Sequence, residues 1–372
     1  MTGVGAVASI GRSAEEIFDS LCAGRSGLAP MRGFNQDWYS AGELFEIDDR
    51  DAGDVALRAT SFLLDAIAQA IAQAGIDVGL GDVPVLVGTG LRELRSVELW
   101  SRDGADVTPG DVHFGTALRE RFNASNTHTF ANACSASLYA LSLATDLLDS
   151  GAADTVIVAG TDSITESMFG IADRVQSVPP DTVRPFDVGR MGTIMGEGAA
   201  AVVLRRAPGG GDSVRGWVRG VGVNCDAFHA TAPDAQAIAM AMREAHRRAE
   251  VTPADIDLVM LHGTGTPAND LGEATAIGEV FGVDVKKPLM TAIKSMTGHT
   301  SGSSGLHALI TALQSMRVGR VPPTTPLDNP IEETAGFRIV RGGPATEELS
   351  VAQINAFGFG GVNAVAIVEA DK

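Results

Sequence analysis

Residues 303–316 read SSGLHALITALQSM, and residues 135–148 read SASLYALSLATDLL. Each stretch opens on small residues and continues with apolar side chains at helical spacing. Two further pairs match in the same order. VLVGTG at 85–90 returns as VMLHGTG at 259–265, and GEGAAAVVL at 196–204 returns as GGVNAVAIV at 360–368. A single match between runs of small apolar residues is weak. Three collinear matches at nearly constant separation indicate two similar halves. The stretch RRAPGGGD at 205–212 supplies a Gly/Pro-rich seam, so the expected units are residues 1–207 and 208–372.

Within the halves, strand and helix signals alternate. VPVLV at 83–87 is a continuous apolar run, as expected of a strand covered on both faces. Helical spacing marks 60–74 and 235–249. The alternation predicts a layered α/β fold. A duplicated chain of this kind places its site between the halves.

Composition narrows the function. Lysine and arginine number 28 against 46 acidic residues, a net charge of −18. That argues against a nucleic-acid binder, which needs basic surface along phosphates. Three cysteines, Cys22, Cys134 and Cys225, form no CxxC pair and no disulfide framework. A reducing cytoplasm is the expected setting. No apolar run reaches the ~18–20 residues of a membrane span. MTGVGAVASIGRSAEE at the start shows no signal-peptide pattern. The chain opens abruptly on a strand-like stretch, which is compatible with residues preceding Met1.

Cys134 stands in FANACSASLYAL (130–141), at the head of a helix-like segment. A helix N-terminus offers unsatisfied N–H groups and a positive dipole end, both of which favour thiolate. Small neighbours leave room for an acyl group. On this stretch alone, nucleophile and buried filler remain equally open. His262 and His299 stand where apolar runs meet glycine-rich turns, positions at which open α/β sheets meet ligands. A thiol nucleophile needs a base or donors beside it. Lys294 precedes His299 by five residues, and Asp270 and Glu273 are carboxylates able to hold Lys294 or a helix end. No histidine pair has metal-ligand spacing, so no metal site is expected. AFGFGGVN at 356–363 is followed by a strand, so it is not a dinucleotide fingerprint.

Five stretches carry a family resemblance: NACSAS (132–137), RPFDVGRMGTIMGEGAAAVVL (184–204), HGTGTPANDLGE (262–273), KSMTGHTSGSSG (294–305) and NAFGFGGVN (355–363). Together and in this order they resemble the β-ketoacyl synthases, condensing enzymes of the thiolase superfamily. The resemblance implies five layers, α-β-α-β-α, from two mirrored βαβαβαββ halves. It implies that Cys134 takes an acyl chain from an acyl carrier protein and that His262 and His299 complete a Cys-His-His triad. Lys294 is similar to the lysine that supports His299, with Glu273 as its acidic partner. Phe359 is similar to the gating phenylalanine. The backbone N–H groups of Cys134 and Phe359 are the implied oxyanion hole. NCDAFHATAP (224–233) resembles the second mobile loop, with His229 and Thr231 at matching places.

The implied reaction is decarboxylative condensation with malonyl-carrier protein, giving a 3-oxoacyl chain in polyketide or fatty-acid biosynthesis. No metal or organic cofactor is implied, because the phosphopantetheine arm belongs to the substrate. The alternatives are an acyltransferase forming an ester or amide without decarboxylation, and one subunit of a ketosynthase/chain-length-factor heterodimer in place of a homodimer. The chain is short for the family around 91–116, a region that contributes pocket wall and dimer surface; this build points to specialised metabolism. Asn132 stands where a small residue is expected. An acidic enzyme with an acidic carrier needs a local basic patch, for which Arg58, Arg205 and Arg206 are the candidates.

Overall fold

The computed structural model describes residues 1–372 apart from 51, 52, 78, 176, 177, 207–213 and 372. The expected seam at 205–212, and with it the division at 207/208, therefore falls mostly outside the described residues.

The main sheet of the first half contains β1 (Gly3–Ala8), β2 (Val85–Gly88), β3 (Thr127–Phe130), β4 (Thr155–Asp162) and β5 (Gly198–Arg205). They lie in the order β1-β5-β4-β2-β3. The second half supplies β6 (Trp217–Cys225), β7 (Leu258–Met260), β8 (Leu289–Thr291), β9 (Val351–Gly358) and β10 (Val362–Glu369). Their order is β6-β10-β9-β7-β8, with a two-residue strand, Arg338–Ile339, added beside β8. Adding five to each label of the first sheet gives the second. The pairing senses also repeat, antiparallel on the β1 and β6 sides and parallel on the β3 and β8 sides.

The helices are α1 (Ala14–Cys22), α2 (Arg58–Gln73), α3 (Leu94–Asp103), α4 (Phe114–Phe122), α5 (Ala136–Asp149), α6 (Glu166–Val175), α7 (Ala235–Ala249), α8 (Pro267–Phe281), α9 (Lys294–Thr297) and α10 (Ser304–Val318). The two helices expected from periodicity form as α2 and α7. The stretch 91–116 becomes α3 and the start of α4.

Strand alternation sorts the core into layers. In β4, Val156 and Val158 face a central core shared with Leu138, Leu141, Leu306 and Leu309. Ile157 and Ala159 face the opposite way, against Phe62, Leu63 and Ile67 of α2. In β10, Ala364, Ala366 and Val368 face the centre, while Val365 and Ile367 pack against α7 and α8. The result is α2 outside one sheet, α5 and α10 between the sheets, and α7 with α8 outside the other. These are the five layers that the resemblance implies.

Close packing explains much of the glycine content. A Cβ on Gly3 would lie 2.1 Å from the Ala70 carbonyl oxygen, and one on Gly5 would lie 2.1 Å from that of Ala66. Only glycine lets α2 approach β1 this closely. Helix α10 is buried from Ser304 through Met316, and each of its leucines contributes about 1.5–3 kcal/mol on burial. Among the described residues no helix is long and apolar enough to cross a membrane.

Candidate active site

Parallel strands end on one side of a sheet, and their following turns carry side chains into the space beyond. After β3 the chain makes a single 3-10 turn, Ala133–Ser135, before α5 begins. Ala133 adopts φ +48° there, a left-handed conformation that a non-glycine residue rarely takes. The turn presents Cys134. The backbone N–H groups of Phe359 and of Cys134 itself lie near its thiol and favour the thiolate. Ser135 fixes the turn by donating both its N–H (3.3 Å) and its hydroxyl (2.9 Å) to the Asn132 carbonyl. Nothing in the structure explains the Asn132 side chain.

Position at a helix start predicts an acidified thiol, but burial wins. Removal from water pushes Cys134 up to about 11. The Lys294 charge opposes that rise and the Asp162 charge adds to it.

The second half supplies the groups facing the thiol. His299 Nε2 lies 2.9 Å from Cys134 Sγ. His299 does not follow a strand directly, as expected from sequence; it follows α9 and is held by backbone pairing. Its N–H donates to the Ile194 carbonyl (2.9 Å), and its carbonyl accepts from Gly196 N–H (3.1 Å). Residues 194–196 thus serve as a strap across the His299 turn. His262 follows β7, and its ring centroid lies 5.6 Å from that of His299.

Among the described residues Lys294 makes no hydrogen bond to His299, on which its charge acts through space. Its ammonium donates to the His262 carbonyl at 2.5 Å and lies 3.3 Å from His262 Nδ1. This corrects the expectation drawn from the resemblance, because the ammonium's hydrogen bonds go to His262. Glu273 accepts from the N–H groups of His262 (2.7 Å) and Gly263 (2.9 Å), and from Asn355 Nδ2 (2.9 Å). Among the described residues it makes no direct ion pair with Lys294, and its charge acts on the lysine through space.

Electrostatics set the protonation states. Burial holds His299 down at about 3 and His262 well below the ordinary imidazole range, with Lys294 adding to both effects. Both rings are therefore neutral at working pH. Their tautomers differ in freedom. Lys294 donates to His262 Nδ1, which places the ring proton on Nε2. His299 Nδ1 is buried without a hydrogen-bond partner among the described residues, so nothing pins its tautomer. Burial lowers Lys294 and raises Glu273.

Two loops close over the site. Phe359 is 63% exposed, while its N–H points at the thiol. His229 accepts at Nδ1 from the N–H groups of Thr231 (3.1 Å) and Ala232 (3.0 Å), so it caps its own turn. Gly360 N–H donates to the Ala230 carbonyl (2.8 Å), and Asp226 N–H donates to the Gly361 carbonyl (3.0 Å). The loop of His229 and Thr231 is thus tied to the glycine loop of Phe359.

Sequence reading missed Asp162. Its buried carboxylate ends β4 and accepts from Thr89 Oγ1 (2.7 Å) and from the N–H groups of Gly90 (2.8 Å), Leu91 (2.7 Å) and Gly302 (2.7 Å). It joins the turn after β2 to the turn after His299. Burial still raises it to about 6. A lone aspartate at a strand end was its only signal.

Of the docking arginines expected from sequence, Arg58 needs correction. The Arg58 side chain is 3% exposed and binds Glu197 (2.6 Å) and Asp49 (2.7 Å). It offers no charge to an approaching protein. Arg205 and Arg206 lie at the far end of β5. Gly198, at the opposite end, pairs with Asp162 on the site side, so roughly 20 Å separates them from the site at ~3.3 Å per residue. Arg205 donates to the Ala74 carbonyl (3.1 Å), and Arg206 pairs with Asp154.

Comparison with known proteins places the chain in a family. Residues 1–208 match the family described as beta-ketoacyl synthase, N-terminal domain, and residues 215–328 match beta-ketoacyl synthase, C-terminal domain. A 3-oxoacyl-[acyl-carrier-protein] synthase 2 of Synechocystis sp. is 31% identical over 399 residues, covering 98% of this chain and 95% of the relative. Nodulation protein E of Rhizobium meliloti (strain 1021) is 29% identical over 98% of this chain and 97% of its own. Among solved structures, the ishigamide ketosynthase/chain length factor superposes with a TM-score of 0.89 at 29% identity, covering 100% of this chain and 98% of that one. The chain belongs to the β-ketoacyl synthase family and is an enzyme of the acyltransferase class.

Proposed function

We propose that this protein is a 3-oxoacyl-[acyl-carrier-protein] synthase joining a Cys134-bound acyl chain to a malonyl unit on an acyl carrier protein. The observation that carries this reading is the 2.9 Å contact between Cys134 Sγ and His299 Nε2, with neutral His262 beside it.

Acylation comes first. Sγ attacks the acyl thioester carbonyl, and the oxyanion sits between the N–H groups of Cys134 and Phe359. The bond to the carrier sulfur breaks, and the proton of Sγ passes through His299 to the departing thiolate. This route suits a thiol that burial keeps protonated at rest. The malonyl thioester then accepts hydrogen bonds at its carbonyl oxygen from Nε2–H of His262 and of His299. Its carbon–carboxylate bond breaks, CO₂ leaves, and the electron pair forms an enolate. Each such donor is worth roughly 3–4 kcal/mol in other enzymes. The enolate carbon attacks the acyl carbonyl, the bond to Sγ breaks, and Cys134 regains a proton from water by way of His299.

The two histidines thus divide the work. His262 is a fixed donor, and unpinned His299 accepts in one half-reaction and donates in the other. The phosphopantetheine arm is substrate, and no metal or organic cofactor enters a step.

The test supplies acyl- and malonyl-carrier proteins and follows CO₂ and product mass. A 3-oxoacyl product two carbons longer is expected. Acylation of Cys134 followed by an ester or amide product without CO₂ would establish the transferase alternative.

The likeness to the ishigamide ketosynthase/chain length factor supports a second reading at the level of assembly. There the chain is the thiol-bearing subunit of a heterodimer. Full turnover by the purified chain alone would exclude it.

A further inference from the structure

Behind Glu273 lies a line of buried polar side chains that the reaction above does not use. Asn355 Nδ2 donates to Glu273 Oε1 at 2.9 Å. Gln353 Nε2 donates to Asn355 Oδ1 at 2.9 Å. His246 Nε2, on α7, lies 2.6 Å from Gln353 Oε1. His246, Gln353, Asn355 and Glu273 are all buried, none more than 5% exposed. Gln353 and Asn355 share the face of β9 opposite Ala352 and Ile354, as alternation requires. Two amides on the apolar outer core are costly unless satisfied.

The direction of the chain is fixed by its end. An ionised carboxylate only accepts, so Asn355 must present its NH₂ group. Its oxygen then accepts from Gln353, whose own oxygen accepts from His246. The His246 proton therefore sits on Nε2. Each dipole turns its positive end toward Glu273, and such chains strengthen link by link.

We propose that His246, Gln353 and Asn355 form a buried donor relay that keeps Glu273 ionised and thereby sustains the charge on Lys294. These are positioning residues, acting through Glu273. The inference rests on the site reading above, in which Lys294 pins His262.

Other charged groups also face the carboxylate. Asp270 lies on the same helix and opposes its ionisation. Lys294 and the neutral His262 lie across the site, and Lys294 also faces Cys134 and Asp270. The relay approaches from β9 and α7. Burial works against it, raising Glu273 and lowering Lys294. Loss of a relay link adds to both shifts. Glu273 then protonates at a higher pH, and Lys294, with less negative charge beside it, deprotonates at a lower one.

The experiment compares wild type with Gln353→Met, His246→Phe and His246→Gln. Carboxyl-¹³C glutamate labelling follows the Glu273 titration directly, its signal assigned by its absence in Glu273→Gln. The expected result is an upward shift of a few tenths of a pH unit in Gln353→Met and a smaller one in His246→Phe, because each variant leaves the Asn355–Glu273 bond in place and removes only the strengthening passed along the chain. His246→Gln, which restores a donor, stays near wild type. The pH profile of CO₂ release should narrow from both sides in the same two variants. An unmoved Glu273 titration in folded Gln353→Met overturns the relay; if that protein does not fold, Gln353→Ala at the same link decides. A moved titration in an enzyme that releases no CO₂ would leave the relay standing and remove the proposed function.

Discussion

Ala133 and Ser301 share one backbone conformation, φ +48° at each, one residue before Cys134 and Gly302. Each begins a 3-10 turn that runs into a central helix. The duplication thus built two elbows, and they differ in what meets them. At the first, N–H groups point at a thiol. At the second, the Gly302 N–H is taken by the Asp162 carboxylate.

Gly302 cannot become a second cysteine. A Cβ there would lie 2.5 Å from Thr89 Cα and 2.8 Å from Gly90 N, and neither backbone atom can give way cheaply. Gly302→Ala should cost on the order of 3 kcal/mol and lower activity with it. Chemical denaturation measures this; an unchanged midpoint would contradict the packing argument.

Cys134→Ala should abolish acyl loading while changing stability by less than about 1 kcal/mol, because only one sulfur atom at the surface of the site is removed. Intact mass after incubation with acyl-carrier protein reads the loading. Residual loading combined with a large stability loss would make the cysteine structural.

Among the described residues, Arg58→Met leaves Glu197 with Arg50 as its remaining ion-pair partner, at 3.0 Å, beside the N–H groups of Ile47 and Ile164. Removing one cation leaves the buried carboxylate under-compensated, and a loss of about 3 kcal/mol is expected. Carrier affinity should not change. Weaker carrier binding at unchanged thermal stability would restore the docking role that burial denies.

With its thiol raised to about 11, Cys134 exists as thiolate in only about one molecule in ten thousand at pH 7. Iodoacetamide should therefore react slowly, with a rate that climbs about tenfold per pH unit from 7 to 9. The Lys294 charge lowers the thiol pKa, so Lys294→Met raises it further and slows alkylation at every pH in that range. A plateau near neutrality in wild type would mean that burial is not the dominant influence.

Local pattern carried most of the fold. The helices α5 and α10 were legible because both open on small residues and continue at helical spacing, and β2 because its run is apolar on both faces. Cys134, His262 and His299 were legible as candidates because reactive side chains stand where apolar runs stop, and the family resemblance supplied their roles. Long-range pairing was not legible. Arg58 looked like a surface base, and only Glu197, 139 residues away, makes it a core residue. Lys294 was assigned to His299, five positions on, yet folding turns it to His262, 32 positions back. Asn355 lay inside a quoted motif, but its partner Glu273 is 82 residues distant.

Helix α10 is enclosed nearly all round by elements of both halves. Neither repeat can unfold while the other persists without baring those leucines to water. A chain built from two copies should therefore melt in a single cooperative transition, with the α10 amides among the last to exchange their hydrogens.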